Sequence, residues 1–506
     1  MECQLILLDE VNCKFNNLHG EIINHFHNMF NYEVPGAMFS AKVKLGMWDG
    51  KISLFDKNGV TLINFLPQII PVLVDELGVK VTIDDRRIRK TLSFEPIDEN
   101  LLAHIIHPEF GTPIILRDYQ VVMVNILLGC QGNGNVGGIG VAGTGAGKTI
   151  ITAALAHVFN QKGKNCLVIV PSTSLVKQTK KGLQDCGLDV GEFSGKVKDT
   201  KNNTIVATWQ TLQNIPQFVA EFDMVLVDEC HGAKSKVVKE LLSVTGRHVQ
   251  YRFGVTATIP KPELDRQTIL GVLGNIKHEI PSHELIAAGH LAGLDIEITQ
   301  LIEDFHEEYQ EYVESLKVGF PVPSYSQWKT KYFIDYNAEK SFIRGNTKRT
   351  NHIAQELVNR SLVGNGNVFA LVDSVAFGKK LTKSVRSRTD AEHVYFVHGQ
   401  DKVEDRQAIY DLFKDNDGII VIATVHCAGT GIDISRIYNL VLIDLGKSFI
   451  RTLQTIGRGL RKANDKAYLL AWDISSDLKY SKRHLGERTK FYKEAKYPHK
   501  KTKVNY

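Results

Sequence analysis

The chain has no apolar run approaching the ~20 residues that a bilayer-spanning helix needs, which argues against a membrane protein. Its opening, MECQLILLDEVNC, places acidic residues where a signal peptide needs positive charge, so secretion is not expected. The seven cysteines (Cys3, Cys13, Cys130, Cys166, Cys186, Cys230 and Cys427) form no CxxC pair and show no zinc spacing. An odd, scattered set predicts reduced thiols in the cytoplasm, with neither a disulfide framework nor a structural zinc. Charge of one sign is also scarce: a net +5 at pH 7 is too small to name a partner. The composition, 43% hydrophobic and 23% charged, is that of a globular protein rather than a disordered one. At 506 residues the chain is too long for a single core.

Glycine, by contrast, is concentrated where it matters. The run GGIGVAGTGAGKTIITAALAHVF predicts a short strand, a glycine-rich turn from Ala142 to Thr149, then a helix with apolar residues at helical spacing. Such a turn lets backbone N–H groups of Gly143, Thr144, Gly145, Ala146 and Gly147 curl around an anion, with the helix N-terminus behind them. Lys148 then reaches the β- and γ-phosphates of a nucleotide, and the Thr149 hydroxyl can hold Mg²⁺. The strict pattern wants Gly at position 142, where this chain has Ala. Eighty residues beyond Lys148, FDMVLVDECHG places Asp228 and Glu229 at the C-terminal end of an apolar run of strand length. In open parallel sheets, ligands bind just beyond that end. Asp228 can hold the metal and Glu229 can orient an attacking water, which predicts a nucleoside triphosphatase. A similar run, VLIDLG with Asp444, is assigned no catalytic role.

Near the far end, QTIGRGLRK places Gln454, Arg458 and Arg461 at i, i+4 and i+7, on one face if the segment is helical. Two guanidinium groups there suit a γ-phosphate held elsewhere in the chain, and such arginine fingers contribute roughly 10³–10⁵ in rate. Two halves of the chain also echo each other. NCLVIVPSTSLVKQTKKGLQ (165–184) and NVFALVDSVAFGKKLTKSVR (367–386) both predict a strand, a serine-containing turn and a Lys-rich helix. TIVATWQTL and IVIATVHCAGTG both put Ala-Thr after a β-branched run, so Thr208 and Thr424 are expected at equivalent strand ends. Strands alternating with helices predict parallel α/β sheets. From Lys479 onward there are ten Lys/Arg against two Asp/Glu, with Tyr480, Phe491, Tyr492, Tyr497 and Tyr506 interleaved. That mixture fits phosphate contacts with base stacking, and equally fits a solvated basic tail. On the first reading, removing residues 479–506 flattens the salt dependence of binding and spares ATP binding.

Together these segments resemble the motif set of superfamily 2 helicases, in its usual order. LRDYQ, with Arg117 and Gln120, is similar to that superfamily's adenine-recognition motif. AGTGAGKT matches its phosphate loop in a form where Ala142 is normal. PSTSLVKQ, DECH, TAT (256–258), ATVHCAGTGID and QTIGRGLRK resemble the motifs that follow. The resemblance spans roughly residues 113–475. It implies an α/β fold of two tandem RecA-like parallel-sheet lobes, with ATP and Mg²⁺ as ligands and nucleic acid as partner. Carried onto matching positions, it implies Lys148, Thr149, Asp228 and Glu229 for nucleotide and metal, and Arg458 and Arg461 as fingers. Asp433 is implied at the ribose or the interlobe network, and Thr173, Thr208 and Thr424 on the strand backbone. Thr256, Thr258 and Gln454 would couple nucleotide state to movement.

The segment AKVKLGMWDGKISLFD (41–56) predicts two alternating strands joined near Asp49-Gly50, with Trp48 more at home in a core than in a contact. A Trp-Asp-Gly hairpin before a helicase core is similar to phage UvsW-type branch-migration DNA helicases. That family implies branched or duplex DNA as substrate, a monomer, and the host cytoplasm as its location. The expected organisation is a small N-terminal α/β domain (1–100), a first lobe (101–298), an interlobe accessory segment (299–345), a second lobe (346–476) and a short basic C-terminal extension (477–506). In residues 299–345, Tyr325, Trp328, Tyr332 and Phe333 either pack a linker or wedge a fork. An RNA helicase, or an ATP-driven remodeller without strand separation, fits the motor motifs as well, because backbone phosphates are shared by both nucleic acids.

Overall fold

The computed structural model describes residues 1–506 except 90, 109–110, 133, 196, 232–235, 317–320, 334, 364–365, 429–433, 435, 447–459 and 461–464. Its contacts divide into two compact units, one of residues 1–143 and 147–280, the other of 144–146 and 281–506. Each unit is built on an open sheet whose innermost strands are short and apolar on both faces, as helix-covered parallel sheets require.

In the first unit the described strands run, across the sheet, Val197–Asp199, Val190–Ser194, Thr204–Thr208, Cys166–Val170, Met224–Asp228, Tyr251–Thr256, Gly138–Ala142 and Ile276–Ile280. All pair in parallel except the edge strand Val197–Asp199. In the second, the order is Val394–Val397, Ile420–Thr424, Val368–Val372, Asn439–Ile443, Tyr468–Ser476, Gly293–Ile302 and His499–Asn505, all parallel. The echo between the halves is structural. Strand Cys166–Val170 leads through Ser172 into helix Thr173–Asp185, and strand Val368–Val372 leads through Ser374 into helix Val375–Arg386. Each serine hydroxyl accepts from the backbone N–H three residues on, Leu175 in one case and Phe377 in the other.

Two sequence expectations need correction: the 41–56 hairpin and the reach of the second lobe. The N-terminal segment builds a small sheet of its own against the first lobe. Its sheet (Val60–Leu62, Asn12–Asn16, Glu2–Leu7, Lys80–Asp85) shares one continuous core with the first large sheet, from Phe15 and Phe65 through Ile269 to Val225. The two parts meet so closely that a Cβ on Gly271 would have to displace the end of the Leu62 side chain.

The predicted 41–56 hairpin does not form. The Ser40 hydroxyl caps a short helix, Ala41–Lys44, and strand Lys51–Ser53 pairs instead with Asn31–Glu33. Gly46 and Gly50 both adopt positive φ, which ends any extended run between them. Trp48 is half-buried, with its indole N–H donating to the Lys51 carbonyl at 2.8 Å, and it takes no part in the core.

The second lobe is larger than residues 346–476. Strand Gly293–Ile302 lies inside its sheet, and the basic C-terminal segment is no loose extension: it forms helix Lys479–Glu494 and the edge strand His499–Asn505. Phe491, Tyr492 and Tyr497 are buried, so they pack and do not offer stacking faces. Between strand Gly293–Ile302 and the rest of that sheet, helices His306–Ser315, Tyr325–Tyr332 and Tyr336–Gly345 gather Phe305, Tyr309, Trp328 and Phe342 into a small aromatic cluster. Trp328 is only 8% exposed, which answers the alternative left by the sequence in favour of packing.

Candidate nucleotide site

The glycine-rich turn leaves strand Gly138–Ala142 and enters helix Lys148–Gln161 as predicted. Gly147 takes a left-handed conformation at the helix entrance, and a Cβ there would collide with Gln120 Nε2 at 2.5 Å. Lys148 and Thr149 occupy the first turn of the helix, where the helix dipole favours an anion. Among the described residues, Thr144 Oγ1 is one of few buried side-chain polar atoms without a hydrogen-bond partner. An orphaned hydroxyl in a loop built to wrap an anion fits a nucleotide phosphate.

Strand Met224–Asp228 ends beside this loop, and the register Asp228↔Val255 brings its carboxyl end level with that of Tyr251–Thr256. Four side chains converge there. Lys148 Nζ lies 3.4 Å from Glu229 Oε1, and His231 Nδ1 lies 3.4 Å from Glu229 Oε2. The same His231 nitrogen is 3.2 Å from Thr256 Oγ1, which in turn donates to the Thr258 carbonyl at 3.0 Å. Desolvation, followed by the charge of Glu229, pushes Asp228 up to about 6. Glu229 goes the other way, to about 2: desolvation would raise it, but Lys148 and His231 hold it ionised. The pair therefore splits into one carboxylate kept charged and one that titrates near neutrality, the pattern expected where two acids have separate tasks. Glu229 itself has φ of +50°, outside ordinary strand geometry, which turns its side chain from the strand axis toward Lys148.

Three family profiles match this chain. One described as "Type III restriction enzyme, res subunit" covers residues 113–261, and "Helicase conserved C-terminal domain" covers 350–463. A third, "DNA helicase UvsW, N-terminal", covers 8–84. The "ATP-dependent DNA helicase uvsW" of Enterobacteria phage T4 is 28% identical over 477 residues, 92% of this chain and 88% of that protein. These matches support a UvsW-like superfamily 2 helicase. The crystal structure of T4 UvsW aligns over 100% of both chains at 23% identity, with a TM-score of 0.44. S. cerevisiae Dbp5 bound to RNA and ADP BeF3 is 16% identical, covers 81% of this chain and 94% of its own, and shares the fold at a TM-score of 0.54.

As such a helicase the chain hydrolyses ATP, and most of its expected first-lobe residues gather as the motifs imply. His231, the last letter of DECH, was missed as a site residue by the sequence reading. It touches both Glu229 and Thr256, and Thr256 Oγ1 also donates to Glu229 Oε2 directly at 3.4 Å, so this carboxylate is tied to the TAT segment in two ways. Gln120 is buried, its Oε1 accepting the Arg117 N–H at 2.9 Å while its Nε2 lies against Gly147. It thereby fixes the helix Asp118–Leu127 to the phosphate loop. The Arg117 side chain donates to the Tyr119 hydroxyl at 2.8 Å.

Of the three threonines expected on the strand backbone, Thr173 is exposed at the start of its helix. Thr208 and Thr424 do sit at equivalent strand ends, but both are buried. Thr208 Oγ1 accepts the Thr211 N–H at 3.3 Å, and Thr424 Oγ1 lies 3.3 Å from Cys427 Sγ. Each hydroxyl is thus engaged in the short turn that follows its strand. Asp433, Gln454, Arg458 and Arg461 lie outside the described residues.

Proposed function

We propose that this helicase spends ATP to unwind or branch-migrate branched DNA, including forks, four-way junctions and R-loops, in recombination, repair and replication. The observation that carries the choice of substrate is the match of residues 8–84 to the N-terminal segment of a named DNA helicase, on the same chain as the motor. In this reading Lys148 and the loop from Gly143 to Gly147 bind the phosphates. Thr149 and Asp228 hold Mg²⁺, which neutralises phosphate charge when bound. Glu229 orients the water and takes its proton, with His231 keeping its carboxylate in place. Arg458 and Arg461 supply charge to the γ-phosphate, and Gln120 with Arg117 reads adenine. Thr256 and Thr258, linked to Glu229 through the Thr256 hydroxyl and through His231, pass the nucleotide state on, with Gln454 as a further coupling residue. Asp433 reaches the ribose or the network between lobes. Thr173, Thr208 and Thr424 lie along the nucleic-acid backbone, Thr173 through its exposed side chain and the other two through the turns they cap. The enzyme acts as a monomer in the cytoplasm of the host cell.

The test is steady-state ATP turnover without nucleic acid and with single-stranded DNA, duplex DNA, a four-way junction or single-stranded RNA, with Lys148→Ala as the blank. Strongest stimulation by the junction is expected. Equal stimulation by RNA, or no preference for the junction, would sink the branched-DNA reading.

A pH dependence follows from Asp228. A carboxyl raised to about 6 takes up its proton as pH falls through that value, so protons compete with the metal. The Mg²⁺ concentration giving half-maximal turnover is expected to climb as pH drops from about 7.5 to about 5.5. A requirement that stays flat across that window would contradict the assignment of Asp228 as the metal's ligand.

A further inference from the structure

Helix Lys479–Glu494 and the edge strand His499–Asn505 enclose an open cleft of about 510 Å³ on the second unit. It is lined by Lys482, Lys490, Lys493, Lys501 and Lys503, with Gln300, Thr489 and Gly486 between them. The arrangement follows from two periodicities. Residues 482, 486, 489 and 493 share one helix face, and 501 and 503 share one strand face. Gln300, the register partner of Lys503 on the neighbouring strand, lies on that same side.

Five ammonium groups face this cleft, and no Asp or Glu is among the residues lining it. Several cations elsewhere on the unit are matched with carboxylates: Lys329 with Asp477, Arg344 with Asp373, Arg360 with Glu297, Arg436 with Asp465. The lining of the cleft offers its lysines no such partner. Desolvation, then the charges of Lys503 and Lys482, already lower the proton affinity of Lys501, so the cluster repels itself. An extended polyanion relieves that repulsion without needing any one geometry, whereas the neutral Gln300 and Thr489 offer no counter-charge.

We propose that this cleft is a binding site for the phosphodiester backbone of nucleic acid, separate from the motif residues and independent of base sequence. Identifying the phosphate's source as nucleic acid rests on the helicase reading; the anion chemistry does not. Phe491, Tyr492 and Tyr497 are buried and no aromatic residue lines the cleft, so the contact is electrostatic and without stacking.

The test uses the full chain and fluorescence anisotropy with duplex DNA across about 50–200 mM salt. The variant K482Q/K493Q/K501Q/K503Q is compared with its arginine counterpart, K482R/K493R/K501R/K503R. Each lost phosphate contact makes the slope of log K against log salt shallower by about 0.9. The glutamine variant is expected to lose about 2–4 from the slope and at least tenfold in affinity at low salt. The arginine variant is expected to keep both, and DNA-independent ATP turnover should be unchanged in each. The pairs K482Q/K493Q and K501Q/K503Q, each expected to give about half the effect, stand in if the fourfold variant folds poorly.

An unchanged slope overturns the proposal. So does lysine-dependent binding of inorganic tripolyphosphate with an unchanged DNA slope, which would make the cleft a site for small polyanions. Failure of junction stimulation in the unmodified helicase would remove the branched-DNA reading and leave this comparison intact.

Discussion

Replacing Glu229 with Gln is expected to lower ATP turnover by about 10²–10⁴-fold, the usual contribution of a positioned general base. Nucleotide binding should survive, because the phosphates are held by the loop and Lys148. The geometry allows a sharper statement. Lys148 lies 3.4 Å from Glu229, so the carboxylate competes with phosphate for that ammonium. Removing its charge frees Lys148, and ATP should bind equally well or up to about fivefold tighter, given the small net worth of such partly exposed pairs. Isothermal titration with ATP, alongside turnover, separates the two effects. Binding weakened tenfold or more, or turnover close to normal, would show that Glu229 is a structural partner of Lys148 and no base. His231→Ala provides the companion measurement. If His231 only props Glu229, turnover falls while the dependence on nucleic acid stays. If it links Glu229 to Thr256, stimulation by nucleic acid falls as well.

Replacing Arg488 with Ala should destabilise the second unit by about 3–5 kcal/mol, the cost of leaving one member of a buried ion pair behind. Arg488 is 2% exposed and its partner Asp473 is fully buried. Two bonds join them, Nε to Oδ2 at 2.9 Å and Nη2 to Oδ1 at 2.8 Å. The Tyr492 hydroxyl adds a third bond to Asp473 at 2.9 Å, and Arg488 also donates to the Leu445 carbonyl. Without the guanidinium, Asp473 would be a buried charge with one neutral donor. Replacing both, as R488M/D473L, should cost less than the single change, since neither charge then remains to be desolvated. Urea unfolding followed by a probe in the second unit, such as Trp472 fluorescence, would report this. A midpoint shift worth under 1 kcal/mol for Arg488→Ala would refute the account. The same bonds rule out deleting residues 479–506 as a measure of nucleic-acid affinity. That deletion removes Arg488, Tyr492 and an entire strand, so any loss of binding would report damage to the fold.

What the sequence revealed, and what it hid, divides along a physical line. The phosphate loop and DECH were legible because their chemistry is local. Glycines, a lysine and a hydroxyl within eight residues specify a turn whatever packs around it, and an apolar run ending in Asp-Glu specifies a strand end. The paired serine caps were visible for the same reason. Strand His499–Asn505 was hidden because its sequence, HKKTKVN, pairs along one edge only and leaves most of its side chains exposed. Nothing in its own alternation separates it from a solvated tail. Strand Gly293–Ile302 joins a sheet whose other members begin more than sixty residues later, a pairing no local window contains. In the 41–56 segment, alternation was outweighed by the Ser40 cap and two glycines at positive φ. Asp444, set aside as non-catalytic, has a structural task. It accepts from Arg349 at 2.5 and 2.8 Å, and the fully buried Arg349 also bonds the fully buried Glu303, an arrangement that no sequence spacing announces.

The place of strand Gly293–Ile302 between two later strands has a consequence for how the chain is made. Its two sheet partners, Tyr468–Ser476 and His499–Asn505, leave the ribosome roughly 170 and 200 residues after it. At about 5–20 residues per second, its backbone N–H and C=O groups wait some 10–40 seconds with both edges open. Its sequence, GLDIEITQLI, alternates apolar and polar residues, which suits it to recruit any extended strand nearby. The acidic Asp295 and Glu297 on its outer-facing positions then act as guards during synthesis, a task that ends once the sheet has closed around them.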